Sequence, residues 1–245
     1  NGFFRYQGKL DSLACLVEDH VYDDINTVPK NHIYAGLNNL FGEVTWFYPG
    51  SGAASNNRSV TYNYMDSSPE RPVWTTSSLA RSTWADSAIF GKPHGTEYDS
   101  SSTSDSTVGN TDGCTTYYEH ETGNNQIKAG TSTAITANIQ SGDFDIGQNP
   151  IPTQGDGEYM MKIRRVLPDF LTQTGATRVT LNLKNYPTDS EASSSLGPFD
   201  VTSSTTKVDT RARARAIALK ISNTGLAQHW KVGTFRLDIQ PDGRR

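Results

Sequence analysis

Cysteine is almost missing: Cys15 and Cys114 are the only two in 245 residues. Disulfide-stapled domains carry dense, even sets of cysteines, and structural metal sites need more ligands at closer spacing. Both are therefore disfavoured as organising devices. Free thiols in a chain folded under reducing conditions are expected instead. The five histidines, His20, His32, His94, His120 and His229, show no metal spacing. Long apolar runs are also lacking, and no window approaches the ~18 residues of a membrane span. GxSxG, HExxH, P-loop and GxGxxG do not occur in the contexts their chemistry requires. Neither catalysis, a metal nor a cofactor is expected from these residues. An initiator Met is lacking too: the chain opens Asn1-Gly2 and enters a strand-like GFFRYQG at once. The expectation is a fragment of a longer polypeptide, so the missing signal peptide carries no weight.

Aromatic residues, at 10%, are plentiful, with 21 Gly and 11 Pro and little helix signal. That balance predicts an all-β fold with many turns. Charge is uneven along the chain. From Lys207 to Arg245 there are nine Lys/Arg against three Asp, within a chain whose net charge is −4. An acidic body with a basic end points to an interface. In that end Phe235, Leu237 and Ile239 alternate with Thr234, Arg236, Asp238 and Gln240, as a strand buried on one face requires. Trp230 and Val232 have the opposite parity, and Gly233, where the parity switches, predicts a β-bulge. Arg211–Ile221 has helix-forming composition but no helical apolar stripe. It reads as one strand, with Arg211, Arg213 and Arg215 on one face and Ala212, Ala214, Ala216 and Ala218 on the other. Arg211, Arg213, Arg215, Arg236, Arg244 and Arg245 are the candidate subunit-interface residues, set to meet carboxylates on a neighbouring protomer.

Upstream, three strand-like stretches recur, marked by Tyr6, Tyr64 and Tyr118. Short-strand repeats of this kind suggest propeller blades. The middle one reads as a strand Glu43–Tyr48, a turn-rich loop through Pro49-Gly50, and an antiparallel return Val60–Tyr64. Residues 100–107 form a polar low-complexity loop, and the Gly/Pro-rich 147–157 marks a boundary. Beyond it, Tyr159–Leu167 and the alternation of Val179, Leu181 and Leu183 predict long antiparallel strands, with a loop over Asp189–Pro198. The expected architecture is all-β: blade-like sheets of a partial β-propeller over 1–147, a linker at 148–157, and an antiparallel sandwich-like module over 158–245.

Possible chemistry has an ordinary explanation in each case. Asp143 and Asp145 share one strand face, which reads as a solvated face rather than a glycosidase pair. Glu119, His120 and Glu121 are neighbours in a strand, so they point apart and make a poor metal site. Glu18-Asp19-His20 and Asp23-Asp24 read as loop acids. Trp46 and Tyr48 must lie on one face of their strand and Phe47 on the other. Trp46, Tyr48 and Trp84 are therefore candidates for aromatic packing or for a glycan-binding surface, with packing the ordinary fate of large aromatics.

NHIYAGLNNLFGEVTWFYPG, RSVTYNY, VWTTSSLARSTWADS, YYEHETG, MMKIRRVLPDF, ARARAIALKISNTG and HWKVGTFRLDIQPDGRR together resemble the tail hub (nozzle) proteins of tailed bacteriophages. The nearest named family is the packaged-DNA stabilisation proteins of short-tailed phages. The resemblance covers nearly the whole chain apart from 100–112 and 186–205. It implies a structural virion protein without enzymatic activity, in a homo-oligomeric ring, six-fold in such proteins, below the portal and adaptor. It also implies neighbouring tail fibres or spikes, phage DNA in the lumen, and assembly in the host cytoplasm into the virion tail. The alternatives are a tail-fibre or receptor-binding protein contacting host surface glycans, and a secreted propeller glycosidase. A receptor binder predicts exposed aromatics around one groove, and a glycosidase predicts two carboxylates ~5–10 Å apart.

Overall fold

The computed structural model describes residues 2–99, 114–128, 130–146, 159–186, 188–189 and 194–243. The chain forms two compact units, Asn1–Thr122 and Gly123–Arg245. The fold is all-β, and among the described residues helix is confined to two short segments and a 3-10 turn at Lys30–His32. The expected boundary at 147 is thus too late, because strands before it belong to the second unit. The linker expected at 148–157 lies outside the described residues, as does the loop at 100–107.

The first unit opens with the hairpin β1 (Phe3–Tyr6) and β2 (Leu10–Leu13), followed by helix α1 (Glu18–Asp24). Four strands follow in simple meander order: β3 (Tyr34–Asn38), β4 (Glu43–Tyr48), β5 (Arg58–Ser68) and β6 (Arg71–Ser77). Then come β7 (Thr83–Ala85), the short helix α2 (Ser87–Phe90), β8 (His94–Asp99) and β9 (Cys114–Glu119), whose strands make a three-stranded sheet. β4 sits inside the four-stranded sheet, and its aromatic triplet covers both faces. Trp46 and Tyr48 join Phe3, Val21 and Val60 in one core cluster. Phe47, fully buried, stacks on Tyr34 at 5.1 Å on the other face and meets Trp84 at 5.4 Å. Burying each such ring contributes about 1.5–3 kcal/mol.

In the first unit, among the described residues, only β3–β6 has the four strands of a propeller blade. Among the described residues the Tyr6 hairpin has two and the Tyr118 sheet three, and no sheet closes on itself. Tyr6 is 75% exposed on a first strand, Tyr64 44% exposed on a third, and Tyr118 only 7% exposed. The three tyrosines are not equivalent. A Tyr in an alternating run reports a strand, but not that strand's place in its sheet.

The second unit begins with the hairpin β10 (Asn125–Lys128) and β11 (Thr131–Ala134), then β12 (Ala137–Gln140). After it come β13 (Met161–Leu167), β14 (Phe170–Thr174), β15 (Thr177–Lys184), β16 (Ser195–Val201), β17 (Val208–Ala214), β18 (Ala216–Asn223), β19 (His229–Val232) and β20 (Arg236–Pro241). One sheet runs β12-β18-β15-β16 and another β17-β13-β20, with a β14-β19 pair beside them. Met161, Ile163 and Val166 of β13, Val179 and Leu181 of β15, and Ala212, Ala214 and Ile217 form one core from both larger sheets.

Three expectations over this unit need correction. Arg211–Ile221 is extended but is not one strand. It breaks at Arg215, and β17 and β18 enter different sheets. Ala212 and Ala214 face the core before the break and Ile217 after it, so the parity changes there. Gly233 is no bulge: it separates β19 from β20, again in different sheets, where the backbone lies against Asp169. A Cβ on Gly233 would meet Asp169 Cγ at 2.9 Å, so the close approach is what requires glycine there. The loop expected over Asp189–Pro198 contains the start of β16. Its Gly197 and Pro198 suit an edge strand, where a missing N–H donor leaves no gap in the ladder.

Candidate functional site

Polar positions of β17, β13 and β20 build a basic outer sheet face. Inward residues such as Met161, Ile163 and Ala212 are buried, so their neighbours Lys162, Arg164, Arg211 and Arg213 are exposed. β20 adds Arg236 and Asp238. The register shifts between Ile163 and Arg165, which puts Arg165 opposite both Asp209 and Asp238. Arg165 Nε lies 3.6 Å and 3.7 Å from their carboxylates, and Lys207 also reaches Asp209 at 2.9 Å. Arg213 pairs with Asp242. Lys162, Arg164, Arg211 and Arg236 make no ion pair among the described residues. Lys162 stands directly across from Arg213, a like-charge cross-strand pair that is unfavourable in an isolated sheet.

The sequence candidates divide on this face. Arg211, Arg213 and Arg236 lie on it. Arg215 does not: it is the half-buried corner residue, and its backbone N–H donates to Lys184 O at 3.1 Å. Arg244 and Arg245 lie outside the described residues. Lys162 and Arg164 were missed, although the alternation Met161-Lys162-Ile163-Arg164 already turned them outward. What sequence lacked was the pairing that sets β13 between β17 and β20.

A second polar group is buried inside the first unit. Arg81, 4% exposed, lies 3.7 Å from Glu97 and sits 4.1 Å over the Tyr118 ring. Its Nε–H donates to His120 Nε2 at 2.9 Å, and Trp84 covers the imidazole at 4.5 Å. An Nε2 that accepts a proton donor belongs to a neutral imidazole protonated at Nδ1. Burial, then the Arg81 and His94 charges, pull His120 down to about 4. Burial likewise pulls Arg81 below its ordinary range, opposed by Glu97, Tyr118 and Tyr34, and pushes the Tyr34 hydroxyl up. These groups clamp two sheets together.

The other candidates are placed as follows. Asp143 forms an ion pair with Lys184 at 2.7 Å. Glu119 binds Lys92 at 3.1 Å, while Glu121 accepts from Asn38 Nδ2 at 3.1 Å, so the EHE run points three ways. Asp24 pairs with Arg58 at 3.2 Å. Among the described residues no group of His, Cys, Asp and Glu is disposed to hold a metal. Cys15 is a free, half-buried thiol raised by burial. No helix among the described residues is long and apolar enough to cross a membrane. A groove of about 300 Å³ between Pro168–Gln173 and Thr202–Thr205 contains Asp169, which accepts from the Gly233 and Thr234 backbone N–H groups.

Trp46 packs on Phe3 and Trp74, Tyr48 is 2% exposed beside them, and Trp84 lies against Phe47 on the opposite face. They form no common surface. Exposed aromatics occur elsewhere: Phe90 (61%) and Tyr117 (63%) flank His94, at ring distances of 4.8 Å and 5.3 Å.

Comparison of the chain with protein-family models finds no match, and comparison with curated proteins finds no significant one.

Proposed function

We propose that this chain is a structural protein of a bacteriophage tail. It would form part of the hub or nozzle ring below the portal and adaptor, retaining packaged DNA and conducting it during ejection. In this reading the β3–β6 meander is a propeller-type blade, the second unit is a sandwich-like module, and neither carries catalysis. The sequence resemblance sets the class. The observation that carries the reading is the division of charge between the two units. The first has seven Lys/Arg against fifteen Asp/Glu, the second fifteen against eleven, with the surplus displayed on a sheet face. An acidic body repels DNA and leaves it free to slide, because each neutralised phosphate would add salt-dependent affinity.

The test is mass measurement and negative-stain imaging of the purified chain over a range of concentrations. Closed rings support the reading; a monomer throughout would overturn it. A second reading, a receptor-binding protein of the tail, draws on one observation, the exposed Phe90–His94–Tyr117 group. Sugar rings pack on such surfaces, so a glycan array on wild type and on Tyr117→Ala separates the two.

A further inference from the structure

We infer that the basic β17-β13-β20 face docks on the acidic first unit of a second copy of this chain. The inference rests on the ring reading and names the partner of its basic surface. Strands lie about 4.8 Å apart, so the face presents its cations across roughly 10 Å of sheet. Arg165 at its centre lies within ion-pair distance of Asp209 and Asp238, and Arg213 pairs with Asp242. Lys162, Arg164, Arg211 and Arg236 surround that centre and have no carboxylate partner among the described residues. The face therefore has unmet demand for anions, sharpened where Lys162 opposes Arg213.

The anion source is a protein surface rather than a nucleic acid. Asp209, 61% exposed, and Asp238, 36% exposed, stand amid the cations and would repel a phosphate chain. No aromatic side chain of β17, β13 or β20 is there for a base to stack on, which single-strand binding surfaces use. Carboxylates on a protein can be spaced to meet the cations and avoid the two aspartates.

The first unit supplies the surplus. Five of its seven cations are already engaged within it: Arg5 and Lys9 with Asp11, Arg58 with Asp24, Arg81 with Glu97, and Lys92 with Glu119. Those pairs occupy four of fifteen acids, leaving the unit strongly acidic. One basic face and one acid-rich unit per chain make a heterologous contact, the kind that closes into a ring.

The test uses the whole chain and the variant Lys162→Glu/Arg164→Glu/Arg211→Glu/Arg236→Glu, with Lys162→Gln/Arg211→Gln as a milder pair. Sedimentation measures oligomer formation at about 50 mM and about 500 mM salt, and a thermal melt checks that each variant folds. The concentration at which wild type assembles should rise with salt. In the fourfold variant it should rise about tenfold or more at low salt, and in the pair by less. A carbodiimide that joins amines to carboxylates is then applied to a mixture of light- and heavy-isotope wild type. Lys162 should be joined to first-unit carboxylates across light and heavy chains. Links only within one chain, or a folded fourfold variant that assembles like wild type, would overturn the docking. So would a variant that assembles normally but loses binding to duplex DNA in a gel shift. Rings that survive in the variant sink this inference alone, whereas wild type that never assembles sinks the ring reading itself.

Discussion

The indole of Trp84 lies on Gly36. A Cβ at Gly36 would fall 2.5 Å from Trp84 Cδ1 and 2.7 Å from Cγ. The ring cannot slide away freely, because its Nε1–H donates to Leu37 O at 2.7 Å and its other neighbours are Phe47 and His120. Gly36→Ala should therefore destabilise the first unit by about 1–3 kcal/mol, the range for overpacking. Chemical unfolding followed by tryptophan fluorescence measures it. An unchanged midpoint would show that the ring has room to move.

His120 makes stability depend on pH. Its folded value of about 4 lies below its ordinary 6.5, so the unfolded chain binds the proton more readily between them. The contribution is fully present above about 6.5 and is lost as pH falls towards 4. With the imidazole partly solvated, a loss on the order of 1–2 kcal/mol is expected over that window. His120→Gln should flatten the stability profile there, and equal slopes for both proteins would count against the assignment.

Arg81 holds the same cluster from the other side. Arg81→Met keeps much of the volume but removes the ion pair with Glu97 and leaves the His120 acceptor without the Arg81 donor. A cost of about 3 kcal/mol is expected from breaking one side of a buried ion pair. Arg81→Met/His120→Leu should cost less than the sum of the two single changes, since both sever the same contact. Additive losses in denaturant titrations would show that the two side chains act separately.

In the second unit Asn223 joins several strands. Its Oδ1 accepts from the Ala137 backbone N–H at 3.2 Å and from Trp230 Nε1 at 2.9 Å, and its Nδ2 donates to Ile135 O at 2.9 Å. At 3% exposure, water cannot easily replace it. Asn223→Ala should cost about 1–3 kcal/mol and release β12 first. Hydrogen exchange at Ile139 and Ser141, which face β18 (the Ser141 N–H donates to Leu219 O at 2.9 Å), is the readout, and protection equal to wild type would exclude this role.

Local alternation carried much of the fold. Glu43–Tyr48 is a strand with Trp46 and Tyr48 opposite Phe47, and Met161–Leu167 and Thr177–Lys184 are strands, because side-chain parity follows from the pleat alone. Ser195–Val201 was hidden, since Ser, Gly and Pro read as loop and only its edge position lets them extend. The basic face was half visible. Arg211, Arg213 and Arg236 announce themselves by composition, but Lys162 and Arg164 join them only through strand pairing, which no local pattern encodes. Arg215 left the row for the same reason: alternation cannot say where a chain changes sheets.

That change of sheets at Arg215 has a consequence for how the second unit comes apart. A single residue joins β17 to β18, with no slack loop between them. Neither large sheet can separate from the other without breaking this stitch or peeling a core-facing strand. The two sheets should behave as one cooperative block, with the slowest-exchanging amides of β13, β15 and β18 opening together and at one free energy.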